Sequence, residues 1–263
     1  MDLGLEGRPA LVAAASRGLG FACANALAAE GARVALCARA REAAQSAADR
    51  IRANTGAEVV PVEADVSTES GARGFVREAS EALGGCEILV ANAGGPPPGP
   101  ARDMSDEEWR AAVELNFLSV VRMVREALPH MRRSAFGRIV AITSSAVKEP
   151  IPNLALSNAA RAATTGFLKT LSKEVAGEGI TVNGVLPGRI LTDRIRSLAR
   201  DRASSSDLSE EDALREQAEG VPLGRLGKPK EVGDVVAFLA SERAAYLTGC
   251  MLSVDGGMLR SLF

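Results

Sequence analysis

The sequence predicts a single α/β domain over residues 1–263, built on a doubly wound, mostly parallel sheet of about seven strands. Short apolar runs alternate with longer Ala-rich, charged stretches, the spacing that parallel strands with helical crossovers require. The 263 residues are 46% hydrophobic and 24% charged with a formal net charge of -2, enough apolar material for one large core. The first apolar run, beginning at Pro9, ends in small residues and two glycines, the pattern of a strand that turns tightly into a helix.

In chain order, that turn is Ala14-Ala15-Ser16-Arg17-Gly18-Leu19-Gly20, with a helix beginning near Gly18. Its glycines let backbone approach a pyrophosphate, and the helix aims unpaired N–H groups and its positive dipole end at the same place. Ala14 stands where the first glycine of such a turn is expected, and the two glycines also fit a plain strand-to-helix corner. Strands are expected at 32–39, 58–64 and 86–91, with helices at 41–54 and 69–83 between them. The 95–100 segment, with four prolines, is a stiff loop at a strand's carboxyl end, where open α/β sheets bind ligands. Ser105 and Glu108 form a capping box opening a long helix to about Arg133, which Pro129 kinks or divides. A fifth strand at 137–143 ends in Ser144-Ser145, a helix spans 154–176, and a sixth strand at 180–186 is broken by Pro187-Gly188. Residues 189–228, polar and with a serine run at 204–206, read as a mobile helical flap. A helix at 229–239 and a strand at 251–254 complete the chain.

Composition narrows the function. No strongly basic segment calls for nucleic acid. No signal peptide and no apolar run of about 18 residues is present, so a cytoplasmic protein without a membrane partner is expected. Cys23, Cys37, Cys86 and Cys250 are far apart and read as apolar residues rather than ligands, and His130 is the only histidine, so no metal site is expected. A single histidine also weakens any Ser-His-acid triad.

With these pieces placed, the chain resembles the short-chain dehydrogenase/reductase family, of the single-domain Rossmann kind typified by 3-oxoacyl-carrier-protein reductases. The matching pieces occur in family order: Ala14-x-x-x-Gly18-x-Gly20, Asp65-Val66, Asn92-Ala93-Gly94, Asn116, Ser144, Pro187-Gly188 with Thr192, Thr248-Gly249 and Asp255-Gly256-Gly257. The resemblance implies a dinucleotide held by the first turn, by Asp65 near the adenine, by Asn92 to Gly94 along the adenosine ribose, and by Pro187, Gly188 and Thr192. Asp65 equally suits a cap for the helix that follows. An NAD site usually places an acid at the end of the second strand, yet Ala38 and Arg39 stand there. Arg17 and Arg39 are suited to grip a 2'-phosphate, so the expected cofactor is NADP(H), with two solvated surface arginines as the alternative.

The family's chemistry uses a tyrosine, a lysine four residues later, and a serine thirteen residues before the tyrosine. Counting from Ser144, and back from Gly166-Phe167, puts those positions at 157 and 161, which hold Ser157 and Arg161. The chain's one tyrosine, Tyr246, is too far along to fill the place. An alkyl hydroxyl is far less acidic than a phenol, and arginine does not release a proton. Arg161 remains able to bind the nicotinamide ribose and to stabilise a developing alkoxide, and four-residue spacing puts it on one helical face with Ser157. The candidate catalytic set is Ser144, Ser157, Arg161 and Asn116, the last through a water held at the helix backbone. Ser144 also suits a strand-end hydrogen bond, and Asn116 a packing role. Lys148 and Glu149, in the loop between the two catalytic positions, are candidates for a replacement acid or base, but read first as solvated loop charges.

General acid–base catalysis is worth about 10² to 10⁴ in rate, so losing the tyrosine need not abolish turnover. Substrates that take their proton at carbon suffer least, which favours conjugated enones and quinonoid ketones beside simple carbonyls. The leading expectation is an NADP(H)-dependent oxidoreductase acting on a small molecule. The alternatives are a cofactor-binding partner subunit without turnover, and a non-redox dehydratase or cyclase on the same scaffold. The resemblance further implies a homo-oligomer, dimer or tetramer.

Overall fold

A computed structural model describes residues 1–204, 206 and 208–262. Ser205, in the serine run expected within the flap, and Asp207 lie outside the described residues. Seven strands form one sheet in the order β3-β2-β1-β4-β5-β6-β7, every neighbouring pair parallel. They are β1 (Pro9–Val12), β2 (Arg33–Ala38), β3 (Val59–Glu63), β4 (Ile88–Ala91), β5 (Gly137–Ile142), β6 (Ile180–Pro187) and β7 (Met251–Val254).

Strand alternation splits the apolar residues between two layers. Ala10 and Val12 of β1 face one layer with α1 (Gly18–Ala29), α2 (Arg41–Thr55) and α9 (Pro229–Ala240), through Leu27, Ile51 and Val236. Leu11 faces the other layer, where α3 (Glu69–Leu83), α5 (Ser119–Ser134) and α6 (Ala155–Glu174) contribute Phe75, Met123 and Leu168. The core is therefore two apolar slabs with the sheet between them.

Helix ends follow local chemistry. Thr68 caps α3 by accepting from Gly71 N, and Gly84 closes it in the left-handed region. The Ser105–Glu108 capping box opens α4 (Asp106–Val113). Between α4 and α5 the chain widens into a π turn, Glu114–Leu118, which the sequence pattern did not reveal. Pro129 lies inside α5, which runs on to Ser134.

Among its described residues, the 189–228 segment carries α7 (Asp193–Ser204) and α8 (Glu210–Glu219). The segment's two ends are tied by the Ile190–Gly227 bridge, and Arg189 Nη1 donates to Gln217 O at 2.5 Å. Cys23, Cys37 and Cys86 are buried free thiols, and burial pushes the first two up to about 12. Among the described residues, no helix is long and apolar enough to cross a membrane.

Candidate active site

Because every strand is parallel, the segments that leave their carboxyl ends gather along one edge, and the strand order reverses there between β1 and β4. The turns after β1, β2, β3, β4, β5 and β6 bring Ala14 to Gly20, Arg39, Asp65, Asn92 to Gly94, Ser144 and Gly188 to Thr192 to that edge. Tyr246 precedes β7 at the amino ends of the strands and is fully exposed. Geometry thus keeps the only phenol on the opposite side of the sheet.

The first turn is tightly built. Ala14 has φ +49°, a left-handed conformation that costs a residue bearing Cβ about 1 kcal/mol, and its N–H donates to Cys37 Sγ at 3.4 Å. Asn92 Nδ2 donates to Ala13 O at 3.1 Å and Ala14 O at 3.2 Å, fastening the turn to the end of β4. A Cβ on Gly20 would lie 2.5 Å from Ala14 O and 2.7 Å from Asn92 Nδ2. Gly18 (φ +58°) faces open space, its nearest neighbour for a Cβ being Thr192 Cγ2 at 3.8 Å, and Gly94 meets nothing within 4 Å. Ser16 and Leu19 are half-buried beside this opening, and α1 begins without a side-chain cap, leaving its first N–H groups free to meet an anion. One tight glycine, two open ones and an uncapped helix end form a cradle that fits a pyrophosphate.

Arg17 and Arg39 are both exposed, and Arg17 Nη1 lies 3.7 Å from Asp193 Oδ2 at the start of α7. Ala38 ends β2 with no carboxylate of its own. Asp65 Oδ1 accepts from Ser67 N at 3.0 Å and Ser67 Oγ at 2.7 Å, which lowers the Asp65 pKa, with the Arg39 charge a smaller cause. The cap of α3 is Thr68, not Asp65. Val66 is buried and Ala93 half-buried behind these loops.

On α6, Arg161 Nε donates to Ser157 Oγ at 3.2 Å, and Arg161 Nη1 donates to Ile142 O at 2.9 Å and Thr143 O at 3.0 Å. The guanidinium therefore bridges Ser157 to the end of β5, immediately before Ser144. Desolvation, then the like charge of Arg194, pushes Arg161 down to about 10, which leaves it cationic at neutral pH. With its oxygen accepting from Arg161, the Ser157 hydroxyl proton is free to point at a ligand. Ser144 Oγ accepts from Ala146 N at 3.1 Å, so it closes the turn after β5 while keeping its own proton.

Asn116 sits in the π turn. Its Nδ2 donates to Gly94 O at 2.9 Å, its Oδ1 is buried without a partner, and its carbonyl accepts from Thr164 Oγ1 at 2.6 Å. Thr164, one helical turn beyond Arg161, thus takes one lone pair of the backbone oxygen expected to hold a relay water, and no hydrogen bond joins Arg161 to that oxygen among the described residues. The 95–100 loop is pinned to the start of α6, with Gly99 N donating to Asn153 O at 2.7 Å. Arg194 of α7, which the sequence reading missed, closes over this loop and donates from Nη2 to Pro96 O at 2.9 Å. Its signal was a lone arginine two residues after Thr192, indistinguishable in sequence from its solvated neighbours.

Comparison with known proteins gives the family and the fold. Residues 13–259 match the family model described as enoyl-(acyl carrier protein) reductase. The chain is 40% identical over 258 residues to the 3-oxoacyl-[acyl-carrier-protein] reductase FabG of Escherichia coli (strain K12), covering 97% of this chain and 99% of the relative. The chain belongs to the short-chain dehydrogenase/reductase family. Its fold superposes on L-sorbose reductase from Gluconobacter frateurii, solved with NADPH and L-sorbose, at a TM-score of 0.96 and 34% identity over the whole of both chains. A single-residue variant of actinorhodin polyketide ketoreductase, solved with NADPH, gives 0.91 and 34%, covering 97% of this chain and 98% of that one. Within this family, an oxidoreductase family, the chain carries Ser157 and Arg161 at the positions counted for tyrosine and lysine.

Proposed function

We propose that the protein is an NADP(H)-dependent oxidoreductase that transfers hydride to or from a carbonyl, conjugated enone or quinonoid small molecule, with Ser157 and Arg161 in the places of tyrosine and lysine. The observation that carries this reading is the Arg161 Nε to Ser157 Oγ hydrogen bond of 3.2 Å beside the end of β5. It joins a hydroxyl donor to a fixed cation at the edge where the cofactor cradle opens.

The cofactor is NADP(H), which the G. frateurii reductase and the actinorhodin ketoreductase both carry in their structures. Gly18, Gly20 and the first N–H groups of α1 would hold its pyrophosphate, Arg39 and Arg17 its 2'-phosphate, Asp65 and Asn92 to Gly94 its adenosine, and Pro187, Gly188 and Thr192 its nicotinamide end. Bound there, its reduced nicotinamide supplies hydride at C4. The Ser157 hydroxyl, made a better donor by Arg161, hydrogen-bonds the substrate oxygen as negative charge develops on it. Ser144 donates a second hydrogen bond to that oxygen. With a carbonyl the resulting alkoxide takes its proton from water, and with an enone the oxygen becomes an enolate that water protonates at carbon, so neither case needs a phenol. The 189–228 flap covers the site, and the protein works as a dimer or tetramer.

Titrating the purified protein with NADPH and NADH, followed by nucleotide fluorescence, tests the cofactor half of this reading. Saturable binding that favours NADPH and weakens at least tenfold in Arg39→Ala is expected. Equal affinity for the two nucleotides would remove the 2'-phosphate site.

A further inference from the structure

Arg161 and Arg194 approach the same opening from two sides. Arg161 lies on the last carbonyls of β5, at Ile142 and Thr143. Arg194 lies on the loop that leaves β4, bonded to Pro96 O, with its guanidinium 3.1 Å from where a side chain on Gly95 would begin. β4 and β5 are adjacent strands, so the two cations lie at neighbouring points of one sheet edge, near enough for the Arg194 charge to act on Arg161. Neither takes part in an ion pair among the described residues. The charge that acts on Arg161 is that of Arg194, of like sign. Two partly desolvated cations facing each other without an acid are unfavourable unless an anion sits between them. Arg161 Nη2 carries no hydrogen bond to any described residue, and Arg194 makes one, so donors remain for that anion.

The cofactor pyrophosphate is one source of such an anion, but its cradle is at Gly18 to Gly20, beyond β1. The arginines sit past β4 and β5, on the side of Ser157 and Ser144, where substrate would lie. We infer that Arg161 and Arg194 form a clamp for a carboxylate carried by the substrate, so that the preferred substrates are oxo or enone acids rather than neutral carbonyls. This rests on the oxidoreductase reading above for the place of the substrate, and a guanidinium fork suits a carboxylate for geometric reasons.

The test uses 4-oxo-2-pentenoate, levulinate and pyruvate against their methyl esters, with the wild-type protein, Arg194→Met and Arg194→Lys. Calorimetric titration of the NADP⁺ complex reads binding, and NADPH oxidation reads turnover. At least one acid is expected to bind the wild-type complex at least tenfold more tightly than its ester. Arg194→Met removes that preference, Arg194→Lys keeps part of it, and NADPH affinity stays within about twofold in both. Acid binding that depends on Arg194 without any turnover would support the clamp while ending the oxidoreductase reading. Turnover with no acid preference would do the reverse. Failure of every acid to bind, or a parallel loss of NADPH affinity in Arg194→Met, would overturn the clamp and, in the second case, assign Arg194 to the cofactor.

Discussion

At the residue scale, the proposed hydride transfer without a phenol depends on Ser157 and Arg161. Serine has no phenol to ionise, and its Oγ accepts from Arg161, so the proposed role is a polarised hydrogen bond to an oxygen rather than proton transfer. Ser157→Ala should therefore lower kcat about 100- to 1,000-fold and leave NADPH affinity unchanged, the scale of one lost donor to a developing oxyanion. The same view predicts a flat log kcat profile from about pH 6 to 9. Arg161 stays protonated below about 10, and His130, held below its ordinary value by burial and then by the Arg133 charge, lies near the end of α5 at the amino ends of the strands. A steep limb near pH 7 would mean that another acid or base acts in the site. The Ser157–Arg161 pair was legible in sequence because Ser144 and the Gly166-Phe167 pair fix the register from both sides. Arg194 was not, because only folding places it on the loop after β4.

At the element scale, the β1–α1 turn is where local geometry is most demanding. Gly20→Ala would drive a methyl group to 2.5 Å from a backbone carbonyl, and the Asn92 contact leaves little room to yield. A loss of about 2 kcal/mol in unfolding free energy, with NADPH binding weakened at least tenfold, is expected by denaturant titration and fluorescence. An unchanged midpoint would mean that the turn relaxes freely. Strands and helices were readable to within a residue or two, since apolar alternation, the Thr68 and Ser105 caps and the closing Gly84 are all local signals. The π turn at Glu114–Leu118 was not. Its extra residue answers to tertiary demands, placing Asn116 against Gly94 and Thr164, and leaves no mark in hydrophobic periodicity.

At the scale of the whole molecule, the all-parallel sheet explains why one edge collects the site: each crossover returns the chain to the same end. The strand and helix alternation carries that much in the sequence. Which helices meet a second copy is not written there, and the predicted dimer or tetramer should show as two or four times the chain mass of 27.3 kDa in light scattering at micromolar concentration. A monomeric mass would remove oligomerisation from the account. The start of α7 brings Arg194 to Pro96, after β4, and Asp193 to Arg17, after β1. The central claim is that hydride moves in this site without tyrosine. It is tested most directly by incubating the protein with a conjugated enone and NADPH deuterated at nicotinamide C4, then locating the label by mass spectrometry and NMR. Deuterium at a single carbon of the reduced product, matched to NADPH consumed, is the result predicted. Unconsumed NADPH across carbonyl, enone and quinonoid acceptors, or product formed without label, would contradict it.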